Sequence, residues 1–122
     1  MGVFSKKDKV ALDLQAISTI VSEGAVIDGS LKAPAYARVD GKVNGPVTIE
    51  EGLILGEKGS IQGNVTTKDM VVYGVVNGNL SVESLEIKAT GKINGDIKTN
   101  TLTIESGAVY NGNLLMGKDI KS

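Results

Sequence analysis

A short phrase recurs six times, and no other feature constrains the fold as much. The copies are Val26-Ile27-Asp28-Gly29-Ser30-Leu31, Lys42-Val43-Asn44-Gly45-Pro46-Val47, Ser60-Ile61-Gln62-Gly63-Asn64-Val65, Val75-Val76-Asn77-Gly78-Asn79-Leu80, Lys92-Ile93-Asn94-Gly95-Asp96-Ile97 and Val109-Tyr110-Asn111-Gly112-Asn113-Leu114. A second glycine, at position 24, 41, 59, 74, 91 or 107, precedes each phrase glycine by four or five residues. A period of about 17 residues dictates architecture: one unit cannot bury its own apolar face and must stack on its neighbours.

Within each phrase apolar and polar residues alternate, as in Ile61, Gly63 and Val65 against Gln62 and Asn64. Period two marks a strand with one buried face. Glycine in the inward slot leaves room at a narrow place or lets the chain bend. A second apolar pair follows: Leu53 and Leu55, Met70 and Val72, Leu85 and Ile87, Leu102 and Ile104. The unit reads as strand, bend, strand, bend. It is too short for a crossover helix, since a βαβ unit takes about 30 residues or more. Hairpins would make neighbouring phrases antiparallel and break the stacking of like on like. Winding in one direction instead puts Val43, Ile61, Val76 and Ile93 in one buried column. The expected fold is all-β, a single-domain parallel β-helix of about six coils, roughly 29 Å long at ~4.8 Å per coil.

Composition agrees. An apolar fraction of 41% supports a core, and one Phe, three Tyr and no Trp make that core aliphatic. Sixteen glycines against two prolines suit many bends. Pro46 takes an outward slot that is Asn or Asp in most copies, and a proline removes a ladder donor, so the second coil is expected to be locally irregular.

The β-helix domain is expected over residues 17–116, and residues 22–116 carry the repeat. Val10 to Val21 carries both helical and strand spacing, and a first strand is expected near Ile17–Val21. Residues 1–16 form an N-terminal tail without the repeat, and 117–122 a short polar tail. The N-terminal tail pairs an apolar tip, Met1, Val3 and Phe4, with Lys6, Lys7 and Lys9. Such a segment can anchor on an anionic membrane surface, where each basic residue contributes about 1 kcal/mol; the alternative is a solvated terminus. Lys6 stands where a myristoylation pattern wants Ser or Thr. No apolar run approaches the ~18 residues of a membrane span and no signal-peptide core is visible, so the expected compartment is the cytoplasm. A net charge of −1 gives no reason to expect a nucleic-acid partner.

Catalysis is poorly supplied. With no histidine and no cysteine, the commonest base, the usual triad member and the commonest metal ligands are missing together. Glu50-Glu51 and the pair Glu83/Glu86 are carboxylate candidates for glycosidase chemistry, but they fall at bends or on outward slots and read as solvated charges. No nucleotide-binding loop is present. No catalytic, cofactor or metal residue is expected. The outward residues Asn44, Gln62, Asn77, Asn94 and Asn111 recur one coil apart and can form a stacked amide ladder.

A β-helix has two open ends, which soluble solenoids normally hide under caps. No convincing cap is visible here. The C-terminal coil ends in Leu114, Leu115 and Met116 with Tyr110 beside them, and the N-terminal coil offers Ile17, Ile20 and Val21. These seven residues are the candidate polymer interface, and uncapped ends predict pairing with further copies.

The chain resembles the bactofilins, bacterial polymer-forming cytoskeletal proteins. The resemblance spans about residues 17–116. It rests on Ile20-Val21-Ser22-Glu23-Gly24-Ala25-Val26-Ile27-Asp28-Gly29, on Val39-Asp40-Gly41-Lys42-Val43-Asn44-Gly45, and on Gly107-Ala108-Val109-Tyr110-Asn111-Gly112 followed by Met116. It implies a right-handed β-helix that polymerises end to end without nucleotide. It also implies filaments at the inner membrane surface that act as scaffolds for cell-shape, wall or appendage machinery. Met1, Val3, Phe4, Lys6, Lys7 and Lys9 resemble the membrane-targeting peptide of family members. The proline-rich C-terminal segment of other members has no counterpart here. Two other readings share the architecture. Hexapeptide-repeat acyltransferases use a parallel β-helix but lean on a histidine base. A monomeric binding module would use the outward Asn/Gln ladder and would need capped ends.

Overall fold

The computed structural model describes the backbone of residues 17–116 and side chains from residue 19 onward. Fifteen strands follow one another: β1 Ile17–Val21, β2 Val26–Asp28, β3 Leu31–Ala33, β4 Tyr36–Val39, β5 Lys42–Asn44, β6 Val47–Leu55, β7 Ser60–Gln62, β8 Val65–Val72, β9 Val75–Asn77, β10 Leu80–Ile87, β11 Lys92–Asn94, β12 Ile97–Thr99, β13 Thr101–Ile104, β14 Val109–Asn111 and β15 Leu114–Met116. Every pairing is parallel and joins one coil to the next. A six-stranded sheet runs β2-β5-β7-β9-β11-β14, and a nine-stranded sheet contains the rest. The fold is the expected parallel β-solenoid of about six coils, opening with a strand at Ile17–Val21.

Each coil has three walls rather than two. The six-stranded sheet is the first. The second and third are halves of the nine-stranded sheet, which folds along its length. In β8 the inward residues are Val65 and Thr67, then Met70 and Val72. The period-two alternation slips by one at Lys68-Asp69, which marks a corner. The recurring phrase is therefore not one strand. It turns a corner at its glycine, between the first and second walls.

That corner explains the glycines. Gly45, Gly63, Gly78, Gly95 and Gly112 all have positive φ, and a Cβ on each would collide with the carbonyl of the phrase glycine one coil earlier. Any side chain would push the coils apart, so glycine serves close stacking at the corner rather than filling an inward slot.

The uneven period has an equally local cause. The corner between second and third walls takes two residues in the early coils, Pro34-Ala35 and Glu50-Glu51, and one later, such as Lys68. The return to the first wall takes four residues at Gly56–Gly59 and Lys88–Gly91, closed by Gly59 N–H to Gly56 O and Gly91 N–H to Lys88 O, both 2.8 Å. It takes only two at Asp40-Gly41 and Tyr73-Gly74. Corners vary while walls stay constant, so stacking survives a period of 15 to 18 residues.

The second coil is locally irregular, as expected, but Pro46 is not the cause. It falls at the corner, outside the strands: its carbonyl still accepts from Leu31 N–H, and Val47 N–H still reaches Asn64 O, both at 2.9 Å. The register shift in that coil lies between Ile49 and Gly52, at the extra corner residue.

The core is a set of stacked aliphatic columns. Val43, Ile61, Val76 and Ile93 form one, each fully buried and in register. Leu55, Val72 and Ile87 form another, equally buried. Burying each such side chain contributes about 1.5–3 kcal/mol. Two side-chain ladders run outside. Asn44 Nδ2 donates to Asp28 Oδ1, Asn94 Nδ2 to Asn77 Oδ1 and Asn111 Nδ2 to Asn94 Oδ1. Next to them, Asn64, Asn79 and Asp96 each accept from the backbone N–H of the matching residue one coil on.

Candidate polymer interface

Inward columns have a last rung. At the C-terminal end these rungs are Leu102, Ile104, Tyr110, Leu114 and Met116, in register with Leu85, Ile87, Ile93, Ile97 and Thr99. The penultimate rungs are essentially sealed. Ile87 is 0% exposed and Ile97 1%, whereas Ile104 is 48% and Leu114 41%. The difference is the missing coil: these are core side chains with nothing stacked over them among the described residues. At the other end Ile27 and Leu31 open the columns above Val43 and Val47 and are only partly buried. The backbone matches. β1, β2 and β3 at one end, and β13, β14 and β15 at the other, pair with a strand on one side only among the described residues. A row of unpaired backbone donors and acceptors beside an apolar cross-section is a template for another chain.

The seven candidate residues divide between the two terminal coils. Tyr110, Leu114 and Met116 meet on the C-terminal face. Leu115 aligns with outward Lys98 and projects from the flank, 56% exposed. Ile17 lies in β1. Ile20, 58% exposed, aligns with outward Arg38 and is likewise a flank residue. Val21 turns inward, in register with Val39, and is 5% exposed although β1 is a terminal strand, so this column is sealed at its N-terminal end. Leu102, Ile104, Ile27 and Leu31 were not singled out by sequence. The signal was present, since each is the terminal member of an apolar column, but it needs the register between copies. Met1, Val3, Phe4, Lys6, Lys7 and Lys9 lie outside the described residues.

Tyr110 is the polar exception on the C-terminal face. Its ring continues the Ile93 column, and its hydroxyl is buried beside the Ile97 N–H, which already donates to Asn113 O at 2.8 Å and leaves the hydroxyl without a well-formed hydrogen bond. Burial pushes the phenol pKa above its ordinary value and the Asp96 carboxylate adds to the rise, against a weaker opposing pull from the Ile97 backbone.

The carboxylate candidates stay apart from any such surface. Glu50-Glu51 form a corner, Glu83 forms another, and Glu86 points outward beside Lys88. No group of three or more acidic residues among the described residues could hold a metal ion.

Coils of one kind, stacked in register and with one strand edge unpaired at each end among the described residues, define a parallel β-solenoid. The bactofilin family, described as polymer-forming cytoskeletal, matches residues 19–115, and the chain belongs to it. Among curated relatives, the chain is 35% identical over 75 residues to bactofilin BacP of Myxococcus xanthus (strain DK1622), covering 61% of this chain and 31% of BacP. It is 28% identical over 72 residues to bactofilin BacO of the same organism, covering 58% of this chain and 57% of BacO. The chain thus spans less than two thirds of either relative. A cryo-EM reconstruction of Thermus thermophilus bactofilin double helical filaments superposes with a TM-score of 0.79 at 29% identity, over 81% of this chain and 99% of that one. A crystal structure of a mutant Thermus bactofilin superposes with a TM-score of 0.69 at 27% identity, over 71% and 98%.

Proposed function

We propose that the chain is a structural protein that assembles end to end into filaments without nucleotide, docks on the inner face of the cytoplasmic membrane, and serves as a scaffold for machinery of cell shape, wall or appendages. One observation carries the polymer: among the described residues the inward columns stop with Ile104 and Leu114 open at the C-terminal end and Ile27 and Leu31 part-open at the other, and the terminal strands have one edge unpaired. Adding a copy extends every column by further rungs and pairs the free edges. The double helical filaments of the Thermus relative support this reading, and two strands winding together is its natural extension.

The membrane part rests on Met1–Lys9. A single Phe-tipped basic tail binds lipid transiently. A filament presenting many tails gains avidity by a factor of about a hundred or more, so assembly and membrane binding reinforce each other. Removing residues 1–9 is expected to release filaments from anionic vesicles and leave them assembled. Retained binding would reject the tail as anchor.

The polymer is tested with Leu114→Arg. The substitution places a charge on the C-terminal cross-section, beyond the last complete coil. Circular dichroism is expected to be native and long filaments absent by electron microscopy. Normal filaments from this variant would show that the C-terminal coil is not the joint.

A further inference from the structure

Among the described residues, six of the eight exposed large apolar side chains, Ile20, Val26, Ile104, Val109, Leu114 and Leu115, belong to the terminal coils. The other two, Tyr36 and Tyr73, lie away from the ends and on or beside the third wall. Its outward column reads Ile20, Arg38, Ile54, Val71, Glu86 and Thr103, each in register with the next. The corresponding outward column of the second wall is Thr48, Thr66, Ser81 and Lys98 between its ends. The first wall carries the amide ladder, with Val75 its lone apolar outward rung between the terminal coils. Only the third wall places two apolar rungs, Ile54 and Val71, side by side in mid-rod, with Tyr73 against them.

The corners make this a hollow. The two-residue return at Tyr73-Gly74 sits between four-residue returns at Gly56–Gly59 and Lys88–Gly91, which overhang it. Ile54, Val71 and Tyr73 line the hollow, with Arg38 and Glu57 towards one side and Glu86, Lys88 and Glu105 towards the other.

The order of the column says what fits there. Read along the rod it is cation, apolar, apolar, anion. A two-fold axis perpendicular to the rod, passing between Ile54 and Val71, sets Ile54 against Val71 of a second copy and Arg38 against Glu86 of that copy, twice over. Such an isologous contact is self-complementary. A parallel copy in register would set Arg38 against Arg38 and Glu86 against Glu86. Arg38 already holds Asp40 through Nε at 2.8 Å and Nη2 at 3.2 Å, and Lys88 pairs with Glu86. The guanidinium keeps further N–H donors free, so the cross-pairs fix orientation while the apolar rungs supply contact.

We propose that the third wall is a lateral docking surface for a second copy of this chain, in antiparallel orientation. The proposal rests on the filament reading only for its consequence that two strands run side by side.

The chain has no cysteine, so cross-linking can be site-specific. Arg38→Cys and Glu86→Cys are co-expressed in the full chain and treated with a bismaleimide reaching roughly 10 Å, the spacing of packed sheets. A covalent heterodimer is expected from the mixture, and none above background from either variant alone, because like sites stand three rungs apart, roughly 14 Å along the rod. Homodimers from either variant alone, or no cross-link in the mixture, would overturn the proposal. In parallel, Val71→Lys is expected to halve the mass per length of filaments and leave their length unchanged, while Ser81→Lys on the second wall keeps them paired. Paired filaments from Val71→Lys would overturn it too. A heterodimer obtained where the native chain makes no filaments would reject the end-to-end reading and leave the docking wall standing.

Discussion

Asn94 Nδ2 donates to Asn77 Oδ1 at 2.9 Å, across one coil. Asn111 repeats the bond to Asn94 at 3.1 Å, and at the opposite end Asn44 makes it to Asp28 at 2.8 Å. Gln62 stands between the two runs, in register with Asn44 and Asn77. It makes no ladder bond, and its side chain is one methylene longer than the Asn of the neighbouring rungs.

Gln62→Asn is therefore expected to join the runs. Each added bond is exposed, so a gain at the low end of the usual 0.5–1.5 kcal/mol is expected. A denaturant melt of the two proteins reads it directly; an unchanged or lower midpoint would show that the break has another cause.

Tyr110 and the phenol it buries yield a prediction with a sign in pH. A buried hydroxyl without a partner costs about 1–3 kcal/mol, so Tyr110→Phe is expected to raise stability at neutral pH. The folded phenol has a raised pKa. Above about pH 10, the ordinary tyrosine value, the unfolded chain ionises first and is favoured. Wild type should lose stability as pH climbs from there towards the folded pKa, and Tyr110→Phe should lose less. Parallel alkaline profiles would contradict the burial.

Two buried threonines separate cleanly. Thr67 Oγ1 has no partner, whereas Thr99 Oγ1 lies 3.1 Å from Glu83 O and 3.0 Å from Thr101 O. Thr67→Val is expected to stabilise by about 1 kcal/mol and Thr99→Val to destabilise by about the same. Thermal melts of the pair test it, and equal shifts would remove the distinction.

The glycine corner predicts unequal costs. Gly24 has positive φ with open space around its missing Cβ, and Gly95 has positive φ with the Gly78 carbonyl in the way. Gly24→Ala should cost about 1 kcal/mol from conformation alone. Gly95→Ala adds overpacking of about 1–3 kcal/mol. Similar unfolding midpoints for both would mean that stacking does not select the glycine.

Much of this was legible from sequence because a solenoid repeats its evidence. Val43, Ile61, Val76 and Ile93 announce one column four times. The third wall was not legible. Gly63 reads equally well as an inward strand residue and as a corner, and only its φ and its contact with Gly45 decide. For the same reason the ends were half seen. Alternation alone does not give the side of a terminal strand its residues face, so Ile20 and Val21 looked equivalent. In the fold one projects from the flank and the other is core. Leu102 and Ile104 looked like ordinary core because their exposure comes from their place in the last described coil, not from their own chemistry.

The most direct test is negative-stain microscopy of the purified, untagged chain near neutral pH, without nucleotide or metal. Unpaired strand edges at both ends of the described coils predict thin filaments or ribbons, many coils longer than one molecule. Small discrete particles across a range of salt and protein concentration would contradict end-to-end assembly and favour a monomeric module.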